Sequence, residues 1–398
     1  MSFEVAGLKF RNPFVVASGP ATKHITQLVE AERCGWGGAS LKLALEPAPY
    51  INLDPRYRWW KQEQYLAFSA EKRLTLDEAL RLTEKGRKQT KDLVILANIA
   101  YTGDKGMDGW LDMARRFVEA GAHGLELNMC CPNMSFNLQV SGEQEHTVQS
   151  GASLGQNAEI VGMATRIISD TVDVPVFVKL TPEGGRIAEV AQACFENGAS
   201  VVGTTANRLA IPEFDIHDPR HGPFQFQIEP SVACFSGGWV KPLALRDVFE
   251  IRKKVGSVSC ILGTGGVRNY VDAVQMMMCG ADMIGICTEV MLHGFGFLSG
   301  LLRNIEKFMD RHGYNSYRNF RDLAVEAIAP ADKLTLKEAY AKVEPELCDG
   351  CGRCERIGHC YAITLEDQKA IVDPRQCTGC STCQNVCHAN AISFVERG

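Results

Sequence analysis

The sequence predicts an α/β fold, a (β/α)8 TIM barrel followed by a small cysteine-rich domain. Eight short apolar runs alternate with longer amphipathic segments over about 300 residues, the size of such a barrel. Most of these runs are uninterrupted, as expected of parallel strands that are buried on both faces. Eight of the sixteen cysteines fall between residues 348 and 387, beyond the alternating segments. A doubly wound sheet is the alternative for the first part, and eight regular units favour the barrel.

The individual elements are predicted from hydrophobic periodicity and from helix end signals such as Gly-Ala. The predicted strands are Phe14–Ser18, Ala39–Leu45, Leu93–Ala100, Leu125–Met129, Val176–Leu180, Val201–Thr205, Cys260–Leu262 and Met283–Ile286. The predicted helices are His24–Cys34, Leu76–Thr90, Trp110–Ala120, Asn157–Asp170, Ile187–Asn197, Pro242–Val255, Tyr270–Met278 and Phe297–Arg311. We expect the barrel to span 1–312 and the cysteine-rich domain 346–398. A helical bridge at 313–345, with a helix at Thr335–Val343, would join them.

The composition excludes several classes of protein. A chain of 398 residues with 45% hydrophobic residues has room for one large and one small domain, each with a core. The net charge of −5 gives no general attraction to nucleic acid or to an anionic membrane. The sequence has no apolar run of about 18 residues that would predict a membrane span. Met1–Phe10 carries Glu4 and Lys9 and does not resemble a signal peptide. We therefore expect a cytoplasmic protein, where thiols stay reduced.

The cysteines near the end of the chain form an internal duplication. Each half holds a C-x2-C-x2-C triplet and a trailing cysteine, and the halves repeat at an offset of 29 residues. The first run is Cys348, Cys351, Cys354 and Cys360, and the second is Cys377, Cys380, Cys383 and Cys387. This spacing is typical of ferredoxin-like domains with two [4Fe–4S] clusters, in which the trailing cysteine of each run binds the other cluster.

We therefore expect two [4Fe–4S] clusters, each bound by four cysteines. One set is Cys348, Cys351, Cys354 and Cys387, and the other is Cys377, Cys380, Cys383 and Cys360. Zinc and disulfides are the alternatives. A third cysteine at the same spacing in both halves is not expected of zinc, and a disulfide framework would need a secreted protein. The longer spacing before Cys360 and the histidine after Cys387 depart from the usual pattern without removing a ligand.

Polar and glycine-rich segments follow the barrel strands, and the active sites of such barrels lie at these carboxyl ends of the strands. They include Ala17-Ser18, Lys42, Asn98, Asn128–Asn133, Lys179, Asn207-Arg208, Gly237-Gly238, Gly265-Gly266 and Cys287-Thr288. Glycines after the seventh strand, with backbone donors after the eighth, are typical of a phosphate site. The two inward lysines need an anionic or polar partner. A flavin mononucleotide (FMN) would explain both features. The alternatives are an ordinary glycine turn and a lysine paired with a carboxylate such as Glu126.

Six motifs resemble the dihydroorotate and dihydropyrimidine dehydrogenases. They are Asn-Pro-Phe…Ala-Ser-Gly-Pro at 12–20, Gly-Trp-Gly-Gly at 35–38, Glu-Leu-Asn-x-x-Cys-Pro at 126–132, Val-Lys-Leu-Thr-Pro at 178–182, Lys-Pro-Leu-Ala-Leu-Arg at 241–246 and Gly-Thr-Gly-Gly-Val at 263–267. The resemblance covers about residues 3–310. The cysteine-rich domain that follows is similar to that of the bacterial dihydropyrimidine dehydrogenase flavin subunit.

The resemblance implies a role for individual residues. Cys131 would be the acid–base residue, and Asn133 and Asn207 would face the substrate. The residues that would contact FMN are Ala17, Ser18, Lys42, Asn98, Asn128, Lys179, Gly238, Gly265, Gly266, Cys287 and Thr288. Chemistry supports Cys131 independently, because reduction of a C=C bond beside a carbonyl needs a hydride at one carbon and a proton at the next. Cys130 competes for this role, and a buried small hydrophobe is the structural alternative for either thiol.

The sequence departs from the pyrimidine enzymes where they bind the substrate ring. Tyr65 and Ala67 stand where that family has an asparagine and a glutamate, and Arg208 replaces its threonine. An arginine suits a carboxylate or phosphate, so we expect an anionic substrate unless Arg208 pairs with Glu213 at the barrel rim.

The expected activity is oxidation or reduction of a C–C bond beside a carbonyl, on a pyrimidine or on another cyclic or conjugated substrate. Electrons would pass between FMN and the clusters to a redox partner, either a ferredoxin or a flavin- or NAD(P)-binding subunit. No G-x-G-x-x-G follows a predicted strand, so a nicotinamide cofactor would bind that partner. We also expect association with like or unlike subunits. The alternative to an enzyme is an electron-transfer subunit that does not turn over a substrate of its own.

Overall fold

The computed structural model describes residues 2–48, 52–131, 151–205 and 207–397. The chain divides into two compact units, Met1–Ile328 and Ala329–Gly398, which are described separately below. None of the helices in the described part of the chain combines the length and apolar character that a bilayer-spanning helix needs.

The first unit is built around a closed parallel barrel, which confirms the predicted (β/α)8 fold. Its eight strands, in chain order, are Phe14–Val16, Gly38–Ser40, Val94–Tyr101, Gly124–Met129, Val176–Leu180, Val201–Gly203, Cys260–Thr264 and Met283–Ile286. Each strand pairs in parallel with the next, and the eighth pairs with the first, so that Ile284 lies opposite Phe14. The predicted second strand, Ala39–Leu45, is interrupted, since Ala44–Glu46 is a separate strand that also pairs with the third.

Helices surround the barrel between successive strands. Their bounds are Ile25–Arg33, Leu76–Gln89, Gly106–Glu119, Gly151–Gly155, Ala158–Ser169, Ile187–Glu196, Lys241–Val255, Tyr270–Met278, Thr288–His293 and Phe297–His312. Side-chain caps fix several starts: Thr75, Asn157 and Asn269 each accept a hydrogen bond from a backbone N–H of the first turn. The helix predicted at Trp110 begins earlier, at Gly106.

The core of this unit lies between the strands and the helix ring. Phe14, Val178 and Ile284 on the strands and Leu28 and Phe117 on the helices are buried in one continuous apolar cluster. Burial of each large apolar side chain stabilises the fold by roughly 1.5–3 kcal/mol. This packing holds the strand ends, and the polar side chains that follow them, in fixed positions.

A second sheet, which the sequence analysis did not predict, joins the segments that follow the second and sixth barrel strands. It is antiparallel, with strands in the order Arg208–Ala210, Ala233–Gly237, Tyr65–Phe68 and Tyr57–Trp60. Ala67 lies opposite Phe235 in this sheet, so residues far apart in the sequence become neighbours. A further antiparallel hairpin, Phe3–Val5 with Leu8–Phe10, opens the chain.

Short elements follow the last barrel helix. They are the 3-10 turns Tyr317–Asn319 and Ala331–Lys333 and the helix Leu323–Ala327. Phe320 is fully buried in the core of the first unit, and Arg321 pairs with Asp282 just before the eighth strand. The chain up to Ile328 therefore packs as part of the first unit.

The second unit contains two antiparallel strand pairs, one short helix and the 3-10 turn Ala331–Lys333. Ala339–Val343 pairs with Ile392–Glu396, Ile363–Glu366 pairs with Lys369–Val372, and the helix is Thr382–Val386. The prediction of a helix at Thr335–Val343 is wrong, because Ala339–Val343 is a strand. Its partner strand lies at the far end of the chain, so the hydrogen bonds that stabilise it cannot be seen in the local sequence pattern.

Candidate active site

The predicted lysines lie among carboxylates at the carboxyl ends of the barrel strands. Lys42 is buried, and its ammonium pairs with the carboxylate of Glu71. Burial opposes the charged form of Lys179, but the negative charges of Glu126, Glu71 and two nearby cysteines together outweigh it and keep the pKa of Lys179 above its usual value. Both lysines therefore have anionic partners within the protein. Their burial alone does not require a bound flavin.

Two asparagines connect this charged group to the loop that carries the cysteines. The Asn98 amide donates a hydrogen bond to the Glu126 carboxylate, and the Asn128 amide donates to Asn98 Oδ1 at 2.9 Å. Asn128 Oδ1 in turn accepts a hydrogen bond from the backbone N–H of Cys131 at 3.1 Å. The chain of hydrogen bonds fixes the turn after the fourth strand, where the thiol is attached.

The two adjacent cysteines have different surroundings. Cys131 is 8% exposed, and its sulfur lies 3.9 Å from Glu71 Oε2 and 3.7 Å from Arg73 Nη2. The Cys130 sulfur lies 3.4 Å from Asn128 Oδ1, and burial raises the pKa of this thiol well above its usual value. Cys131 therefore contacts two charged side chains, whereas Cys130 contacts a neutral amide and is influenced by the charge of Lys179.

Glu71 and Arg73 also belong to this group of side chains, although the sequence did not predict a role for either. Burial opposes ionisation of Glu71, but Lys42 and Arg73 outweigh this effect and hold the pKa of Glu71 below its usual value. Arg73 is 2% exposed. The sequence signal was ambiguous, because Glu71-Lys72-Arg73 resembles a solvated charge run. Of the three, only Lys72 behaves in that way, with an exposed ion pair to Asp54 at 3.2 Å.

A third buried cysteine, also missed, lies beside this group. Cys234 belongs to the antiparallel sheet, and its burial raises the pKa of the thiol well above the usual value. The Asn207 side chain hydrogen-bonds to Cys234 and opposes that shift, while the charges of Glu71 and Cys131 add to it. The structure thus brings Asn207, a predicted substrate residue, close to Cys131.

The predicted phosphate-binding residues line one cleft. Gly265, Gly266, Cys287 and Thr288 face it together with Asn207, Ser236 and Gly237. Gly266 has φ +72°, and a Cβ there would lie 2.6 Å from the backbone nitrogen of Lys241, so the close approach requires glycine. At Gly238 a Cβ would lie 2.7 Å from Arg268 Cδ. Thr288 Oγ1 donates to Ser236 Oγ at 3.1 Å, which joins the two sides of the cleft.

Of the remaining predicted site residues, Ala17 and Ser18 lie at the barrel mouth, and Arg208 lies beside a buried carboxylate. The Ala17 N–H donates to the carbonyl of Ile286 at 3.0 Å, which places Ala17 and Ser18 beside the end of the eighth strand. Arg208 does not pair with Glu213, contrary to the alternative raised from the sequence. Its Nη2 lies 3.8 Å from Oδ2 of the fully buried Asp247. Asn133 lies outside the described residues.

Comparison with known proteins identifies the barrel. The family model of dihydroorotate dehydrogenase matches residues 1–309, more than half of the chain. The chain belongs to the dihydroorotate dehydrogenase family. It is therefore an oxidoreductase that acts on CH–CH groups, in a family whose enzymes bind FMN, as the motifs predicted.

Curated relatives resemble this chain over most of its length. The chain is 27% identical over 365 residues to the NAD-dependent dihydropyrimidine dehydrogenase subunit PreA of Escherichia coli, covering 89% of this chain and 84% of the relative. It is 27% identical to the chloroplastic dihydropyrimidine dehydrogenase (NADP+) of Arabidopsis thaliana, covering 81% of this chain and 76% of the relative. It is 28% identical to the catalytic subunit of dihydroorotate dehydrogenase B (NAD+) of Pyrococcus abyssi, covering 80% and 97%.

The residues of the barrel mouth fit an FMN. Gly237, Gly265 and Gly266 line the cleft without side chains that would keep a phosphate from their backbone N–H groups. Lys42, Lys179, Asn98 and Asn128 provide donors of the kind that bind the carbonyl and nitrogen edge of a flavin ring. The donor set and the cradle lie at the same end of the barrel, since both follow the carboxyl ends of parallel strands.

The second unit contains the candidate metal centre. All sixteen cysteines are free thiols in this structure, which leaves the disulfide alternative without support. Cys348, Cys351, Cys354 and Cys387 line one pocket, which is the first predicted ligand set. The second triplet, Cys377, Cys380 and Cys383, also lies close together. Burial is the largest cause of the raised pKa of the Cys383 thiol, and the charges of Cys377 and Cys380 raise it further, which requires these cysteines to be near.

Backbone groups near these cysteines are oriented toward sulfur. The N–H of Ala341 donates to Cys377 Sγ and the N–H of Ala391 donates to Cys387 Sγ, each at 3.3 Å. Hydrogen bonds of this kind stabilise thiolate ligands and tune cluster potentials. They fit a metal–thiolate centre better than a set of neutral thiols. The bound metal itself stays a prediction.

Proposed function

We propose that this protein is an FMN- and iron–sulfur-dependent oxidoreductase, similar to dihydropyrimidine dehydrogenase, that acts on a C–C or C=C bond beside a carbonyl. The observation that carries the proposal is the position of Cys131. Its sulfur contacts Arg73 and Glu71, and the hydrogen bond from its backbone to Asn128 joins it to the predicted flavin-binding residues. A thiol in that place can exchange a proton with substrate.

The side chains have separable roles in this proposal. FMN, when bound, supplies hydride-transfer chemistry. The Cys131 thiol gives a proton to the carbon next to the one that receives hydride, or removes it in the reverse direction. Asn128 holds the backbone of Cys131, and Lys42 and Lys179 with Asn98 bind the ring. The cleft with Gly265, Gly266 and Thr288 binds the phosphate.

Two [4Fe–4S] clusters would connect the flavin to an electron partner. The grouping of Cys348, Cys351, Cys354 and Cys387 around one pocket supports the first cluster. The similarity to proteins named as subunits of NAD-dependent enzymes supports a flavin- or NAD(P)-binding partner subunit, and a ferredoxin would serve as well. The alternative, an electron-transfer subunit without its own turnover, gives no reason for the presence of Cys131 beside Glu71 and Arg73.

A substrate other than a pyrimidine is supported by the residues after the second strand. The Tyr65 ring stacks on Trp60 with centroids 4.7 Å apart and lies 5.0 Å from Phe235, so it packs in an aromatic cluster. Ala67 is fully buried and offers no polar group. Neither residue supplies the amide or carboxylate that would recognise ring N–H and C=O groups, and a site without such partners loses its discrimination for uracil.

The cofactor content tests the proposal directly. We expect one FMN and about eight irons per chain, from two four-iron clusters. The flavin released by denaturation would be identified by chromatography, and iron, zinc and sulfide would be measured in the same sample. Zinc in place of iron, FAD in place of FMN, or a protein without flavin would contradict the proposal.

The reaction class requires a second experiment. The flavin is photoreduced without oxygen, and candidate conjugated compounds are added one at a time. Reoxidation of the flavin by a compound with a C=C bond beside a carbonyl would support substrate turnover. Reoxidation by ferredoxin or viologen dyes alone would instead indicate an electron-transfer subunit.

A further inference from the structure

Two histidines of the second unit occupy equivalent places in its internal duplication. His359 directly precedes Cys360, the trailing cysteine of the first run, and His388 directly follows Cys387, the trailing cysteine of the second. The two histidines are 29 residues apart, the same offset that relates the two cysteine runs. The sequence between residues 329 and 398 contains no other histidine. Their equivalent positions suggest one role that both histidines share.

Each histidine contacts the middle cysteine of the other run. The Nδ1 of His359 lies 3.5 Å from the Cys380 sulfur, and the Nδ1 of His388 lies 4.0 Å from the Cys351 sulfur. These two cysteines are themselves 29 residues apart. The same ring nitrogen therefore faces the same member of the opposite triplet in both halves of the unit.

The two contacts agree with the predicted exchange of ligands between the runs. His359 is bonded to Cys360 in the chain, so its contact with Cys380 brings Cys360 near the second triplet, the set that the sequence predicts for it. In the same way, the contact of His388 with the first triplet brings Cys387 near that triplet. Each histidine thus adjoins one predicted ligand of a cluster in sequence and contacts another ligand of the same cluster in space.

The contacted sulfurs belong to the two cysteines of this unit that are most open to solvent. Cys351 and Cys380 are exposed, whereas the other six cysteines of the two runs are buried or half-buried. The backbone N–H groups that donate to sulfur serve Cys377 and Cys387, which are not exposed. At the exposed sulfurs, side chains lie where such donors are needed, and Thr382 Oγ1 also lies 3.4 Å from the Cys380 sulfur.

The chemistry of a bound cysteine decides what the histidine nitrogen does. A cysteine that binds iron is a thiolate, which carries no hydrogen and can only accept a hydrogen bond. The nitrogen that faces it stabilises this thiolate when it carries the ring hydrogen and donates. Reduction adds an electron to the cluster and increases the negative charge on its sulfurs. A donor therefore stabilises the reduced form more than the oxidised form, which raises the reduction potential.

We propose that His359 and His388 are positioning residues that act on the clusters through their cysteine ligands. Each donates a hydrogen bond from Nδ1 to the exposed cysteine that it contacts, and so raises the reduction potential of that cluster alone. This inference rests on the proposed function, because it requires the two [4Fe–4S] clusters. The effect of His359 is the larger one, since its nitrogen lies closer to sulfur.

The test measures the potentials of both clusters in the holoenzyme, by redox titration followed with EPR spectroscopy. His359→Leu should make the reduction of one cluster about tenfold less favourable, the worth of one hydrogen bond to a charged group, which corresponds to about 59 mV for a one-electron couple. The potential of the other cluster should stay unchanged. His388→Leu should lower that other potential instead, and by less.

Two further variants separate hydrogen bonding from a general structural effect. In His359→Asn the side-chain amide nitrogen can take the place of Nδ1 and donate, so this variant should keep most of the wild-type potential. Tyr361→Leu is the matched control, because Tyr361 also adjoins Cys360 but is 89% exposed. Neither potential should change in that variant.

Unchanged potentials in His359→Leu, an equal fall in Tyr361→Leu, or a fall that persists in His359→Asn would overturn the proposal. If the leucine variants lose their clusters, the wild type decides. With histidine labelled with the heavy nitrogen isotope, its reduced clusters should show coupling to that nitrogen in pulsed EPR spectra, and spectra without this coupling would overturn the proposal equally. The proposed function fails separately, if the iron and sulfide content of the wild type excludes two clusters.

Discussion

Replacing Cys131 with alanine is expected to slow turnover by roughly 10²–10⁴-fold, the usual contribution of a positioned general acid or base. The substitution removes the only atom that we assign to proton exchange with the substrate. The backbone hydrogen bond to Asn128 does not involve the sulfur, so the turn after the fourth strand should keep its shape. Flavin spectrum and iron content should therefore match the wild type.

The neighbouring cysteine is the matched control. Cys130→Ala removes an equally buried thiol from the same turn, one that contacts the Asn128 amide and not Glu71 or Arg73, although the charge of Lys179 acts on it. Turnover should change far less. Steady-state kinetics of both variants with the same electron donor decide the matter: if Cys130→Ala is the slow enzyme and Cys131→Ala is close to normal, the acid–base residue is misassigned.

The second large effect is on stability and concerns Arg252. This buried arginine donates to the carbonyls of Gly256 and Ser259 at 2.6 and 2.8 Å and pairs with Asp282 at 2.6 Å. Arg252→Met should lower the free energy of unfolding of the barrel unit by about 3–5 kcal/mol, because it leaves several buried carbonyls without a donor and removes one of the two arginines that pair with Asp282. Since Arg321 also pairs with Asp282, the loss does not leave that carboxylate wholly unpaired.

Tryptophan fluorescence during urea unfolding can measure this loss, because all five tryptophans precede residue 240 and so report on the barrel unit. Lys254→Met, an exposed change on the same helix, serves as the control and should shift the free energy of unfolding by no more than about 0.5 kcal/mol. Equal midpoints for the two variants would show that the charge network around Asp282 contributes little to stability.

The sequence alone was sufficient for the barrel and for its family. A strand that is buried on both faces must be apolar throughout, and a helix that packs on a barrel must be apolar on one side, so both patterns are local. The glycines of the phosphate cleft could be predicted for a similar reason, since a close backbone approach excludes any side chain. The fixed spacing of the eight cysteines likewise indicates the ligand sets without knowledge of the fold.

Only the tertiary structure decided which polar residues share the site. Lys72 and Arg73 are adjacent and carry the same charge, yet one pairs with Asp54 at the surface and the other lies buried beside Cys131. The Asn52 side chain hydrogen-bonds to the backbone of Arg73 and fixes the chain there, and no periodic sequence pattern predicts this contact. Ala339–Val343 is a strand because it pairs with the distant segment Ile392–Glu396. Arg208 lies near Asp247, a buried carboxylate on a helix that is also distant in the sequence. Local sequence fixes the repeating elements, whereas contacts between distant segments determine where an irregular side chain points.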